Sequence, residues 1–542
     1  METDPVLGPD FFGRGEILQI LEKRVQAFLK GYRQNIGFVG QKSVGKTSLI
    51  QHFLATIHEP SLITVYVEVL PEPFDYFAQK FMGALLAGYL KAQGEEVSME
   101  FNTLINKSKR LIPKTLKRMR QIKRFLDQEE WDVAFKEVLS LTHLLQEESG
   151  KKVLLVLDNF DRFEEFSLTD PFREFGSALM LQKETLYVVT ASRIRKAQEI
   201  FRDKLSLLFG NFEVLKIKPF DFLTSQAFIE NRLSMLKMDE SIRKFLVELT
   251  DGYPYFLEIL TEQFSVLLKK ENEVSLSDGI LARAFELELY QRKGRLHQYF
   301  MALLQNLGKG QVFYTSLKVL LAIALGHKKV HHIAAYLHRK TDEIKKILSR
   351  LWEEELVDKK GSFFTIPFPL FSFWLRQVYY RREFDFVGRY DLAVEAFRKE
   401  VSLLIRRRVE EEKKELTKRV EELFRRFQND VIEVESKRIK FPHFTEVLFK
   451  PSNGRVFPVE AKAPGTRWVC QVAYGKVTEE DVRFFIQDIQ KLRKKVQRKI
   501  MITLQGIELN ATLLAKEAKI LLWRLKDFNE LLHLYDQPKV IL

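Results

Sequence analysis

The chain has 542 residues, of which 87 are Lys or Arg and 73 are Asp or Glu, giving a net charge of +14. A hydrophobic content of 46% excludes a chain that is disordered throughout, and the length predicts several domains of about 100–200 residues each. The single cysteine, Cys470, excludes an intrachain disulfide framework and a cysteine zinc site. No apolar run approaches the roughly 20 residues of a membrane span, so we expect a cytoplasmic protein without membrane contact.

The first chemical motif lies in residues 36–47, which read IGFVGQKSVGKT and lead into a helical pattern. A strand, a G-x-x-x-x-G-K-[ST] loop and a helix in this order predict a phosphate loop, whose backbone N–H groups curl around phosphate oxygens. We expect Lys46 to reach the β- and γ-phosphates of a nucleotide and the Thr47 hydroxyl to bind Mg²⁺. The expected nucleotide-binding residues of this segment are Gly40, Gln41, Lys42, Ser43, Val44, Gly45, Lys46, Thr47 and Ser48.

A basic segment follows between the predicted core strands. Lys107–Arg124 reads KSKRLIPKTLKRMRQIKR, rich in Lys and Arg and without an acid. Such a segment fits contact with nucleic-acid phosphates, which neutralises charge without reading bases. A solvated helical insertion without a ligand is the alternative, and the pattern fits both.

The segment Lys151–Phe163 reads KKVLLVLDNFDRF and predicts a buried parallel strand. Asp158 stands at its carboxyl end, where such sheets place ligand groups, and is the expected Mg²⁺ ligand. Many ATPases of this type carry a glutamate at the next position to polarise the attacking water, but here that position is Asn159, which cannot accept a proton. We expect Asp161 to act as the base instead, with an N-cap or surface role as the alternative. Without such a base, hydrolysis is slow and the protein is mainly a nucleotide-held switch.

A further strand is predicted at Leu186–Thr190. It fits the core strand of P-loop proteins whose carboxyl end carries the residue that contacts the γ-phosphate. We expect Arg193, just beyond it, to contact phosphate or a neighbouring domain, with a plain surface arginine as the alternative.

Two more segments complete a resemblance to a known family. Residues 11–16, FFGRGE, are similar to an F-x-G-R-x-x-E-L entry motif that lies against adenine, and residues 251–255, DGYPY, resemble the G-x-P motif of a helical lid. With the phosphate loop and the LVLDNFD strand, the pattern resembles the archaeal-type P-loop ATPases of the STAND/AAA-related group over about residues 8–290. The resemblance implies an α/β P-loop core with a helical lid, ATP and Mg²⁺ as cofactors, ATP hydrolysis, and nucleotide contacts from Arg14 and Pro254.

Residues 300–385 predict short helices followed by a hairpin. In Thr341–Glu354 apolar residues recur at helical spacing as far as Trp352, and Thr341 is the expected N-cap. Leu356–Ile366 reads as a hairpin around its glycine. This order resembles a winged helix-turn-helix. Basic and acidic residues share the exposed surface of the second helix, so the pattern fits both DNA contact and a packing or relay role.

The C-terminal part begins with a charged helical pattern over residues 391–428. The extended segments that follow are Asp430–Phe441, His443–Phe449 and Arg455–Ala463, with Asn453-Gly454 as a hairpin turn. A helix, a strand, a helix and a last strand come next. This α-βββ-α-β order, with V-E-A-K ending the third strand, resembles the PD-(D/E)XK nuclease fold. The resemblance implies Mg²⁺ ligands at Glu446 and Glu460 and a charge-stabilising Lys462, but the usual Asp is replaced by Glu446, which leaves cleavage open.

Three parts are therefore expected: a P-loop ATPase core with helical lid at 1–290, a winged helix-turn-helix at 300–385 and a nuclease-like domain at 386–542. Part of the charge excess lies in Lys107–Arg124 and Gln490–Lys499, so DNA is the expected partner. We expect an ATP-binding, ATP-hydrolysing switch that couples nucleotide state to DNA binding or processing. The alternatives are a nucleotide-regulated DNA-binding scaffold whose nuclease-like domain is inactive, and a signalling ATPase that has protein partners and forms a homo-oligomer.

Overall fold

The computed structural model describes residues 5–205, 212–234, 238–272, 275–305, 307–384, 388–434, 437–449, 459–492 and 495–540. The chain forms two compact units: a first unit of residues 2–220 with 253–255, and a second unit of residues 221–252 with 256–542. Among the described residues, no helix is both long enough and apolar enough to cross a membrane. The predicted turn at Asn453-Gly454 lies outside the described residues.

The first unit alternates strands with helices and carries a helical insertion after its second strand. Its elements are α1 (Gly15–Leu29), β1 (Asn35–Val39), α2 (Lys46–Thr56), β2 (Leu62–Glu68), α3 (Phe74–Ala92), α4 (Phe101–Ser108), α5 (Pro113–Asp127), α6 (Trp131–Ser149), β3 (Lys152–Asp158), α7 (Pro171–Leu181), β4 (Thr185–Ala191), α8 (Ile194–Glu199) and β5 (Phe212–Lys216).

The five strands of the first unit form one parallel sheet in the order β2-β3-β4-β1-β5. Val153–Leu157 of β3 is buried on both faces, which is why it reads as one continuous apolar run. Since the strands are parallel, their carboxyl ends share one edge, and the loop that leaves β1 for α2 lies at that edge. These features confirm the expected α/β fold class.

The basic insertion forms helices α4, α5 and α6. In α5 the buried side chains are Leu116, Met119, Ile122 and Leu126, at the three- and four-residue spacing of one helix face. The Glu148 carboxylate accepts hydrogen bonds from the backbone N–H groups that begin α5, at 2.7 and 2.9 Å. The basic residues therefore lie on a folded amphipathic helix whose opposite face is core.

The second unit contains the α-helices and strands that follow β5 in the chain. These are α9 (Phe222–Arg232), α10 (Glu240–Thr250), α11 (Pro254–Glu271, whose first two residues belong to the first unit), α12 (Asp278–Phe285), α13 (Arg295–Gln305), α14 (Gly310–Ala324), α15 (Val330–Leu337), α16 (Thr341–Glu353), β6 (Asp358–Lys360), β7 (Phe363–Thr365), α17 (Pro369–Trp374), α18 (Tyr380–Phe384), α19 (Tyr390–Glu412), α20 (Leu416–Arg425), β8 (Asp430–Val434), β9 (Lys437–Phe441), β10 (Glu446–Phe449), β11 (Val459–Ala463), β12 (Thr466–Ala473), α21 (Glu479–Gln490), β13 (Arg498–Thr503), α22 (Leu509–Glu517), β14 (Ile520–Arg524) and α23 (Leu525–Leu534).

The predicted helices and hairpin of the middle segment are present as α15, α16 and β6–β7. Ile344 and Leu348 of α16 are buried as expected, but Trp352 is 37% exposed because it lies at the edge of the apolar face. The N-cap is also one residue earlier than predicted: Lys340 has the extended backbone of a cap and Thr341 is already helical.

The strand count of the C-terminal segment differs from the prediction. The single extended segment predicted at Asp430–Phe441 is an antiparallel hairpin, β8–β9, that forms its own two-stranded sheet. An unpredicted strand, β12, follows the E-x-K strand and completes a sheet in the order β10-β11-β12-β13-β14. The first two pairings of this sheet are antiparallel and the last two are parallel. The E-x-K sequence therefore lies on the second strand of this sheet, one strand earlier than the resemblance implies.

Candidate functional site

The loop between β1 and α2 has the backbone geometry that its glycines permit. Gly45 has φ +87° and Ser43 has φ +65°, both in the left-handed region that favours glycine. A Cβ at Gly40 would collide with the carbonyl oxygen of Ile217. The loop therefore needs its first glycine for space and its second for backbone conformation.

Lys46 is the first residue of α2 and is only 6% exposed. Its Nζ donates hydrogen bonds to the carbonyl oxygens of Gly40 at 2.7 Å and Gln41 at 2.9 Å, so the ammonium spans the loop. Carbonyl oxygens carry only partial charge. An anion bound at the loop would bring the full negative charge that carbonyl oxygens lack, and charge-assisted hydrogen bonds are stronger than neutral ones.

Asp158 ends β3, is fully buried, and accepts hydrogen bonds from three hydroxyl groups. The Thr47 hydroxyl donates to Oδ2 at 2.7 Å, the Tyr66 hydroxyl donates to the same oxygen at 2.8 Å, and Thr190 donates to Oδ1. Burial raises the pKa of Tyr66, and the carboxylates of Asp158 and Glu68 raise it further, so the phenol stays a donor.

The oxygen set at Asp158 fits Mg²⁺. The carboxylate and the Thr47 hydroxyl lie in hydrogen-bond contact, and both are the hard oxygen ligands that Mg²⁺ prefers. Mg²⁺ bound with a nucleotide takes one or two carboxylates plus phosphate oxygens and water. A metal site made only of protein side chains is not found: among the described residues, no group of three or more His, Cys, Asp or Glu side chains is arranged to hold a metal ion.

Asp161, the expected base, and Arg193, the expected phosphate contact, are bound to each other. The Asp161 side chain is 2% exposed, and the Arg193 Nε donates to its Oδ2 at 2.8 Å. The same guanidinium lies 3.3 Å from Glu164 and 3.4 Å from Glu165. An arginine surrounded by three acids is neutralised by them, and the buried Asp161 carboxylate held by that arginine has little access to an attacking water. The arrangement disfavours Asp161 as the base and Arg193 as a phosphate contact.

Asn159 is instead joined to a carboxylate that the sequence did not reveal. Its Nδ2 donates to Oε1 of Glu68 at 3.2 Å, and its Oδ1 accepts from the Ser192 hydroxyl at 3.0 Å. Glu68 is the last residue of β2 and stands in register with Asp158 on β3. In the sequence, Glu68 is the acid that ends the apolar strand LITVYVE. Its importance becomes clear only when β2 is known to pair with β3.

Arg14 lies against the phosphate loop. Its guanidinium donates to the carbonyl oxygens of Val44 at 3.1 Å and Lys218 at 2.6 Å and lies 4.7 Å from the centre of the Phe220 ring. Nearby, Phe11 stacks on His52 with ring centres 4.1 Å apart. The entry motif thus lies beside the loop, with Arg14 bound to loop backbone.

The lid motif also reaches the loop, through the short piece of lid that belongs to the first unit. The Tyr253 hydroxyl donates to Oε1 of Gln41, and Pro254 is the first residue of α11. Tyr253 is 2% exposed and Gln41 is half-buried, so the contact is partly shielded from solvent.

In the second unit, the predicted carboxylates and lysine of β10–β11 are brought together. Lys462 Nζ lies 2.8 Å from Glu446 and 3.7 Å from Glu460, and its hydrogen bond to Glu446 raises the pKa of Lys462. Arg467 on β12, which sequence reasoning missed, pairs its Nε with the buried Glu460 at 2.7 Å. Each of the two carboxylates therefore already faces a cation.

No protein-family model matches the chain, and neither does any curated protein. Among solved structures, 287 chains match. The chain is similar to a Walker-type ATPase of Pyrococcus abyssi, at 16% identity and a TM-score of 0.49, over 69% of this chain and 98% of that one. It is similar to the ORC2 protein of Aeropyrum pernix (13%, TM-score 0.44, 73% and 96%) and to the RuvB Holliday junction branch migration motor of Thermotoga maritima (12%, TM-score 0.33, 67% and 94%). At these identities and TM-scores, none transfers an activity or a residue role to this chain.

Proposed function

We propose that this chain is an ATPase switch that binds Mg²⁺ and ATP at the loop of residues 40–48 and couples hydrolysis to nucleic-acid binding. The contact between the Thr47 hydroxyl and Asp158 carries the proposal, because it joins the phosphate loop to a buried carboxylate at the carboxyl edge of the sheet. Lys46 supplies the charge that the β- and γ-phosphates need. Mg²⁺, held through Thr47 and Asp158, supplies charge neutralisation for the phosphates.

The lid is the element we expect to report nucleotide state. Tyr253 contacts Gln41 of the loop within the first unit. Two residues earlier in the chain, Asp251 accepts from Lys539 Nζ at 2.6 Å, and Glu248 accepts from the Lys539 backbone N–H at 2.6 Å, both within the second unit. A nucleotide-dependent change at Gln41 that moves Tyr253 would therefore also pull on the adjoining residues 248–251, which are hydrogen-bonded to Lys539 near the end of the chain.

The basic face of α5 supports a polyanionic partner. Lys107 donates to the Glu96 carbonyl and Arg118 pairs with Glu137, but the other cations of the segment are exposed and form no ion pair within the described residues. These are Lys109, Arg110, Lys114, Lys117, Arg120, Lys123 and Arg124. Protein interfaces deplete lysine at their centre and favour aromatic anchors, whereas α5 exposes no large apolar side chain. We therefore assign this face to a nucleic-acid backbone, for which DNA is the proposed ligand.

The hairpin of the winged segment supports a relay role over direct DNA contact. The Ser362 backbone N–H donates to the Val431 carbonyl of β8 at 2.9 Å, and the Phe363 ring packs against Tyr535. A Cβ at Gly361 would collide with the same Val431 carbonyl oxygen. A wing held against the neighbouring hairpin in this way is not free to enter a groove.

The C-terminal sheet supports binding without cleavage. The buried Glu460, an expected Mg²⁺ ligand, is paired with Arg467, a cation outside the expected set of Glu446, Glu460 and Lys462, and this ion pair competes with a metal ion. We propose that this sheet belongs to a nuclease-like domain that contacts DNA. Persistent absence of plasmid nicking with Mg²⁺ or Mn²⁺ is the expected result, and nicking that Lys462→Ala abolishes would contradict it.

The proposed function is tested by ATP turnover and by binding of a non-hydrolysable ATP analogue, each with and without duplex DNA. We expect Mg²⁺-dependent turnover that DNA changes, and tighter DNA binding in one nucleotide state. If the protein binds the analogue but does not hydrolyse ATP, the result favours the alternative of a nucleotide-regulated DNA-binding scaffold. Turnover that ignores DNA, together with no DNA binding at low salt, favours the signalling ATPase and its ATP-dependent homo-oligomer, which analytical ultracentrifugation detects.

A further inference from the structure

The two candidates that follow Asp158 along the chain, Asn159 and Asp161, are not placed to accept the proton of the attacking water. Asn159 occupies the position after the buried Asp158, and an amide cannot take a proton. Asp161 is closed by its ion pair with Arg193. A hydrolytic site built on these residues needs a carboxylate from elsewhere.

Glu68 stands at the required edge of the sheet. It ends β2, directly beside the end of β3, in register with Asp158. In a parallel pair, residues in register point to the same face, and Tyr66, two residues earlier on β2, shows which face this is. Its hydroxyl reaches Asp158 Oδ2, the oxygen that also accepts from Thr47 at the start of α2. Glu68 therefore belongs to the face on which the phosphate-loop helix lies.

The hydrogen bond from Asn159 orients Glu68. Nδ2 of Asn159 donates to Oε1 of Glu68, while Ser192 holds the amide oxygen, so the amide is fixed from both sides. The Asn159 amide therefore fixes the direction in which the Glu68 carboxylate points. Glu68 is only partly buried, which keeps it accessible to water.

We propose that Glu68 is the catalytic carboxylate that orients and deprotonates the attacking water, and that Asn159 is its positioning residue. In the step, the water oxygen forms a bond to the γ-phosphorus while the bond from that phosphorus to the β,γ-bridging oxygen breaks. The electron pair of the broken bond stays with ADP, and the water proton passes to the Glu68 carboxylate. In the usual arrangement the catalytic glutamate directly follows the Mg²⁺ ligand at the end of its strand. Here Asn159 occupies that position after β3, and the acid, Glu68, ends the neighbouring strand β2. This inference rests on the proposed ATPase function.

The test compares the full-length wild type with Glu68→Gln in three measurements: ATP turnover, affinity for a non-hydrolysable ATP analogue, and the unfolding temperature without nucleotide. We expect turnover to fall by about 10²–10⁴-fold, the contribution of a positioned base. Analogue affinity should stay within about threefold, because the loop and Asp158 are intact. Glu72→Gln is the control: Glu72 lies four residues further along the chain, is paired with Lys80 of α3, and should keep wild-type turnover when replaced.

The outcomes separate this inference from the proposed function. A wild type that binds the analogue but never hydrolyses ATP contradicts the ATPase function itself. Two results for Glu68→Gln contradict the role of Glu68 but leave the ATPase function standing. One is turnover equal to that of the wild type, and the other is a loss of analogue affinity as large as the loss of turnover. If Glu68→Gln does not fold, a second pair of variants decides: Glu68→Asn alone, and Glu68→Asn combined with Asn159→Glu. The proposal predicts that the single variant loses turnover and that the double variant recovers it by tenfold or more. A double variant without recovery contradicts the proposal.

Discussion

The basic face of α5 gives a prediction whose magnitude follows from counting charges. Lys117, Arg120 and Arg124 are exposed on the face opposite the buried Leu116 and Met119, and within the described residues they form no ion pairs. Replacing all three with alanine removes three phosphate contacts if this face binds DNA. Because the cations lie on the surface of the helix, each change should alter the free energy of unfolding by only about 0.5 kcal/mol.

The expected effect is a shallower salt dependence of DNA binding. Each phosphate neutralised on duplex DNA contributes about −0.9 to the slope of log affinity against log salt, so three lost contacts reduce the slope by about 2.7. Over a fourfold rise in salt, from about 50 to 200 mM, the ratio of wild-type to variant affinity should therefore fall by about 40-fold.

Fluorescence anisotropy of a labelled duplex measures both slopes. The matched control replaces Arg406, Arg407 and Lys418, three exposed cations of the charge-balanced helices α19 and α20, so that the same formal charge is removed. The control should keep the wild-type slope. An unchanged slope in the α5 variant, or an equal change in both variants, would refute the assignment of this face.

Two further predictions test the metal site and the docked hairpin. Asp158→Asn should cut turnover at least about tenfold and raise the Mg²⁺ concentration needed for half-maximal rate, because a carboxylate ligand is lost; Asp170→Asn, which changes only the N-cap of α7, should leave that Mg²⁺ requirement unaltered. Gly361→Ala should lower the free energy of unfolding, measured by urea denaturation, by about 2 kcal/mol or more, because φ is +60° and the new Cβ meets the Val431 carbonyl. Gly465→Ala is its control: φ is +70° there but nothing lies within 4 Å, so only the backbone strain of about 1 kcal/mol should remain, and equal losses would contradict the docked hairpin.

The parts of the site that sequence predicted are those encoded in contiguous residues. The phosphate loop and the Asp158 strand each fit within about a dozen positions, and their local context of strand, loop and helix was sufficient. The apolar run ending at Asp158 also supported the fold class, because a strand covered on both faces in a parallel sheet is apolar along its whole length.

The parts that sequence did not predict depend on which strands become neighbours. Glu68 is 90 residues from Asp158 and matters only because β2 pairs with β3 in that register. Arg467 was missed because β12 itself was missed, and an arginine becomes informative only when the strand opposite it is known to carry Glu460. The ion pair of Asp161 was missed for the same reason, since its partner Arg193 comes from the end of another strand.

The central claim is that Lys46, Thr47 and Asp158 form a working Mg²⁺ and ATP site. Isothermal titration of the wild type and Lys46→Ala with ATP and Mg²⁺, followed by assay of phosphate release, tests it most directly. We expect the wild type to bind and release phosphate, and Lys46→Ala to lose phosphate release while its unfolding temperature without nucleotide stays close to that of the wild type. Equal phosphate release by both proteins, or no ATP binding by the wild type, would contradict the account.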